Sequence, residues 1–91
     1  MAIMIDDARV PAHDRYWCHL ASDTSFDELH SFARTFDIPE RGFDGDHYDV
    51  PSDHREDFIA AGAERVTSRE LVRRLTAAGL RRRRPRSAKR R

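Results

Sequence analysis

Two histidines and a set of aspartates are the side chains of this 91-residue sequence whose types and spacing could do chemistry. In His47-x-Asp49, alternate residues of an extended segment share a face, which sets an imidazole and a carboxylate about 7 Å apart. His19 lies in a second extended segment, Tyr16-Trp17-Cys18-His19-Leu20, with Trp17 and His19 on one face and Tyr16, Cys18 and Leu20 on the other. Imidazole and carboxylate together can hold a divalent metal, or act as a base and its orienting partner. His19, His47 and Asp49 are therefore the candidate catalytic residues, with Asp6, Asp23 and His30 as candidate metal ligands. Plainer roles exist for several of them. Asp23, with Thr24 and Ser25, could support a helix N-terminus, and His47 with Asp49 could be a hydrogen-bonded strand pair. His30 fits the edge of a buried helical stripe, while His13 and His54 lie in polar, solvated stretches. Cys18 reads as a small buried hydrophobe, and Trp17 as a core anchor or a platform for a nucleic-acid base. No CxxC pair, HExxH, GxSxG or glycine-rich phosphate loop is present.

A different chemistry is written at the C-terminus. Residues 81–91 read RRRRPRSAKRR, with eight bases and no acid, so residues 1–80 hold nine bases against all 16 acids. The net charge of +1 is thus an acidic body near −7 joined to an arm near +8. Arg81, Arg82, Arg83, Arg84, Arg86, Lys89, Arg90 and Arg91 could contact nucleic-acid phosphates without sequence preference. Pro85 blocks a long helical extension, and a solvated, disordered arm is the expected conformation. The alternative is a solubilising tail, or one that folds back on the acids of the body.

The elements that must position these groups follow from periodicity and capping. Ala2 to Ile5 is short, apolar and strand-compatible, ending at Asp6; Val10 to Arg15, with Pro11, reads as a loop; Tyr16 to Leu20 is a second strand. Ser25 and Glu28 have capping-box spacing, and Phe26, Leu29, Phe32, Ala33 and Phe36 form the buried stripe of a first helix that Pro39 ends. After a loop over Glu40 to Asp46, His47 to Val50 is a third strand. Pro51-Ser52-Asp53 opens a second helix to about Ala61, stopped at Gly62. Glu64 to Val66 is a minimal strand, and Thr67 with Glu70 caps a third helix whose Leu71, Val72, Leu75 and Ala78 face inward, with Gly79 as its stop. Right-handed crossovers through the first two helices would set the Trp17, Tyr48 and Val66 strands parallel. The expected architecture is one small α/β domain, residues 1–80, with about four short, mostly parallel strands and three helices, followed by the arm at 81–91. In such sheets ligands gather beyond the strand ends, where Asp6, Asp7, Ser22, Asp23 and Asp49 fall.

Size and composition set bounds. An 80-residue body buries roughly 60–65% of its unfolded surface, enough for one modest core. Although only 38% of residues are hydrophobic, they cluster in periodic segments, which argues against disorder throughout. No apolar run approaches the roughly 18–20 residues of a membrane span, and the first residues have no secretory pattern. A lone cysteine forms no intramolecular disulfide, which fits a reducing cytoplasm.

Cys18-His19-Leu20, Asp23-Thr24, Glu28-Leu29-His30 with Ala33, Arg41-x-Phe43, Asp46-His47-Tyr48-Asp49 and Ala61-Gly62-Ala63 together resemble a small bacterial and phage family, domain-of-unknown-function family 4031. The resemblance covers roughly residues 2–78 and leaves the arm outside. It implies no activity, but it marks His19, Asp23, Glu28, His30, His47, Tyr48 and Asp49 as motif positions. The leading expectation is a cytoplasmic, nucleic-acid-associated α/β domain whose His/Asp cluster binds a divalent metal or phosphate, with phosphoester hydrolysis as the reaction. Against it stand a non-catalytic binding module using the same cluster and a structural adaptor with satisfied polar pairs.

Overall fold

The computed structural model describes residues 2–81. The expected disordered arm and the phosphate contacts assigned to Arg82, Arg83, Arg84, Arg86, Lys89, Arg90 and Arg91 lie outside the described residues. Within them the order is β1 (Ile3–Ile5), β2 (Val10–Ala12), β3 (Arg15–Ser22), α1 (Phe26–Thr35), β4 (Phe43–Asp44), β5 (His47–Pro51), α2 (Arg55–Ala60), β6 (Glu64–Arg65) and α3 (Ser68–Ala77).

The local readings for the helices follow through. Ser25 Oγ accepts the Glu28 N–H at 3.0 Å and Thr67 Oγ1 accepts the Glu70 N–H at 3.0 Å, so α1 and α3 start at their caps. The second helix is shorter than its pattern, because a single 3₁₀ turn, Ser52–His54, precedes Arg55.

The sheet departs from expectation in strand number and direction. It has six strands in the order β4-β5-β3-β1-β6, with β2 also on β3, and only β1 with β6 is parallel. Two tight hairpins account for the difference. His13 and Asp14 both adopt positive φ (51° and 64°), the two-residue turn that fits strand twist, and it folds Val10–Ala12 back onto Arg15–Trp17. Pro11 is tolerated there because β2 needs to pair on one side only. The second turn is Gly45-Asp46, with Gly45 at φ 75°. The crossover through α1 does deliver a strand running in the direction of β3, but that strand is β4; the hairpin then reverses the chain, so β5 lies antiparallel to β3.

Helices cover the sheet unequally. On one face α1 and α2 pack Leu29, Ala33 and Phe58 against Ile5, Cys18, Leu20, Tyr48 and Val50. On the other, α3 lays Leu71 and Leu75 over Met4 and Ala21. Val72 and Ala78, both expected inward, are exposed, Val72 at 39%. α3 therefore covers one end of its face and leaves the middle of β3 and β5 open. Among the described residues no helix is long and apolar enough to cross a membrane.

Candidate metal centre

The open stretch beside α3 is where His19, His47 and Asp49 meet. Strand pleating sends Cys18, Leu20, Tyr48 and Val50 into the α1 side and the residues between them to the other. Antiparallel register places His19 opposite Asp49, with His47 two residues along the same strand face. One donor atom from each of the three lies within 4.8 Å of the others. Asp49 Oδ1 is 3.3 Å from His47 Nε2 and 3.7 Å from His19 Nε2, while the two rings meet edge to face with centroids 5.0 Å apart.

Behind each imidazole stands a carboxylate. Asp6, at the point where β1 stops, is 1% exposed, and its side chain replaces a carbonyl in the strand pairing by accepting the His19 backbone N–H at 2.9 Å. The same carboxylate bonds His19 Nδ1 at 2.7 Å and accepts from Ser68 Oγ, in the first turn of α3, at 2.8 Å. His47 Nδ1 bonds Asp46 Oδ1 at 2.8 Å, and Asp46 in turn accepts from Arg81 Nε at 2.7 Å and Nη2 at 3.0 Å. A carboxylate only accepts, so each Nδ1 carries the proton and each Nε2 faces Asp49.

The electrostatics match this geometry. Burial disfavours charge on Asp6, yet the bonds from His19 and Ser68 outweigh it and hold its carboxyl below the ordinary range. Burial likewise opposes ionisation of Asp46, but Arg81 and then His47 keep it low. The hydrogen bond to Asp6 raises His19, against the opposing effect of burial. Cys18 offers no nucleophile, since burial pushes its thiol up to about 11.

Three donors about 2.0–2.2 Å from one ion stand roughly 3.4 Å apart. The two Asp49 distances meet this separation, while the three donors together span up to 4.8 Å, so an ion would draw them closer together. Imidazole nitrogens with carboxylate partners on their far side are the usual arrangement of histidine metal ligands, because the partner fixes the ring and raises its basicity. Two imidazoles and one carboxylate suit zinc, manganese or iron(II), with positions left for water or substrate.

The remaining candidates are placed elsewhere. Asp23 accepts from Arg74 Nη2 at 2.6 Å and from the Ala2 N–H at 2.9 Å, tying the N-terminal strand to α3. His30 lies across the sheet, its Nδ1 2.7 Å from the Tyr48 hydroxyl. Glu28, besides its backbone cap, takes the Ser22 hydroxyl. Asp6 stands behind His19 and not with the three donors. Arg81, grouped by sequence with the arm, is bonded to Asp46. Sequence reading passed over Asp46 and Ser68 as supports; the one local sign was an acid immediately before His47 in a glycine turn.

No curated protein and no solved structure matches this chain. The family of proteins of unknown function DUF4031 matches residues 3–78, which takes in every strand and helix of the described residues and all three converging donors. The chain belongs to that family.

Proposed function

We propose that this domain is a divalent-metal centre that acts on phosphate esters. One observation carries the reading: two imidazoles, each held through Nδ1 by its own carboxylate, turn their Nε2 atoms toward a single aspartate oxygen on an open sheet face. An ion held by His19, His47 and Asp49 would polarise a phosphoryl oxygen and lower the pKa of a bound water. Hydrolysis there would form a P–O bond to a water oxygen as the ester P–O bond breaks, the departing alkoxide taking a proton from solvent. The cationic run that starts at Arg81 gives the acidic body a means of holding a polyanion, and nucleic acid is the phosphate ester that such a run retains. A buried thiol that forms no intramolecular disulfide is compatible with a reducing, cytoplasmic setting.

The 3.3 Å contact of His47 with Asp49 also favours a second reading, a structural network with no metal. Calorimetric titration of the full chain with Zn²⁺ and Mn²⁺ separates the two. The metal reading expects one ion per chain, lost in His47→Ala and Asp49→Ala, and turnover of a nitrophenyl phosphodiester that follows metal occupancy. Heat of binding absent for both metals, or unchanged in both variants, refutes it.

A further inference from the structure

Next to the three donors, the uncovered part of the sheet forms a groove of about 510 Å³, with Trp17, Val10 and Ala12 on one side, Arg41 on the other, and His19 and Asp49 along it. Trp17 precedes His19 by two residues on β3, so both project from one face roughly 7 Å apart. Unlike the buried aromatics, Trp17 joins neither hydrophobic core. Its indole N–H donates to the Ala12 carbonyl at 2.9 Å, which fixes the ring against β2 and leaves apolar ring surface in the groove; the Arg15 guanidinium, 5.6 Å from its centroid, is paired with Asp53 at 3.5 Å outside the groove lining. An immobilised indole is a surface on which unpaired bases stack.

Charge in the groove itself is mixed, with Arg41 exposed at the rim against Asp44 and Asp49; the cationic excess that would hold a polyanion lies in the sequence after Arg81, where seven further bases follow the residue fixed to Asp46 behind His47. A groove of this volume accepts one nucleotide-sized group.

We propose that the groove takes one nucleotide of a single-stranded nucleic acid, its base stacked on Trp17 and its phosphodiester turned toward His19, His47 and Asp49. The base contact stands on the groove alone; the placing of the phosphodiester rests on the metal-centre reading.

Trp17 is the only tryptophan, so its fluorescence reports on the groove. The full chain is titrated in EDTA with a 12-mer of thymidylate, a 12-mer of uridylate, a 12-mer duplex, and inorganic polyphosphate. The single strands quench Trp17, and the better of the two assigns DNA or RNA. The duplex and polyphosphate, held through the cationic run, leave the emission unchanged. By anisotropy of a labelled strand, Trp17→Ala weakens binding about 5- to 150-fold, and Trp17→Phe recovers most of it. The melting curve and metal titration of each variant show whether the fold is intact; if Trp17→Ala does not fold, Trp17→Phe and the wild-type quench decide. Equal strand affinity of folded Trp17→Ala and wild type, quenching by polyphosphate as strong as by the strands, or no quenching by either strand overturns the proposal. Quenching without any metal binding removes the metal centre and leaves the stacking groove; metal binding without quenching does the reverse.

Discussion

Replacing Asp46 with alanine tests whether the carboxylates behind the histidines matter to the centre. Asp46 touches none of the atoms that would meet an ion; it holds the His47 ring through Nδ1 and is itself held by two Arg81 nitrogens. Removing such a partner typically weakens metal binding 10- to 100-fold, about 1.4–2.8 kcal/mol. The loss is measurable as stability. At a metal concentration 100 times the wild-type Kd, binding stabilises the folded chain by about 2.7 kcal/mol. For a domain of this size that is roughly a 10–20 °C rise in Tm. If Asp46→Ala is 100-fold weaker, the same concentration gives only about 0.4 kcal/mol, or roughly 2–3 °C. Asp46→Asn keeps an acceptor for the Nδ1 proton and falls between. Asp44→Ala, an exposed acid at the end of the neighbouring strand, is the control and keeps the full shift. The metal-free Tm of Asp46→Ala also falls, because the paired Arg81 loses a charge-assisted partner worth about 1–2 kcal/mol. A folded Asp46→Ala chain with the full metal-induced shift would show that the ring needs no orienting partner, and the carboxylate-backed geometry would no longer support a metal.

Further predictions concern the frame around the centre. Leu75→Ala removes a fully buried side chain from the small core under α3 and destabilises by about 2–5 kcal/mol in denaturant titration. Gly45→Ala meets no steric obstacle but puts a Cβ on a residue at φ 75°, costing about 1 kcal/mol in the same assay. Burial works against the Asp23 carboxylate, but Arg74 and the Ala2 amide prevail and lower its pKa from the ordinary 3.8. Its contribution is therefore complete above pH 3.8 and disappears as pH falls through the lowered folded value, so Asp23→Asn is less stable at pH 7 by about 1–2 kcal/mol and converges on wild type in acid.

What could be read from the residues was what is local. Ser25 with Glu28 and Thr67 with Glu70 marked helix starts because caps act over three residues, and the alternation of His47 and Asp49 put them on one face because pleating has a period of two. Strand direction was not legible in the same way. The pattern showed a helix between the Trp17 and Tyr48 strands but not the two-residue β4, whose hairpin reverses the chain before His47. Pro11 concealed β2, since proline argues against a strand unless that strand lies at an edge. The meeting of His19 with Asp49 is a matter of register across two strands, and the bonding of Arg81 to Asp46 spans 35 residues; neither leaves a periodic trace. Residue type, histidine and aspartate where a sheet would accept many others, together with the His47-x-Asp49 spacing, pointed to the site.

The outer strands of the sheet bear on how the protein can associate. β4 and β6 are two residues long, and β2 carries Pro11. Sheets grow by adding a strand along a row of free N–H and C=O groups, and brief or proline-bearing margins supply too little of such a row to template one. Self-assembly by edge addition is thereby disfavoured along these margins, even though the middle of one face lies bare. Anything docking on that face would meet side chains, among them His19, Trp17 and Asp49, instead of a free row of backbone groups.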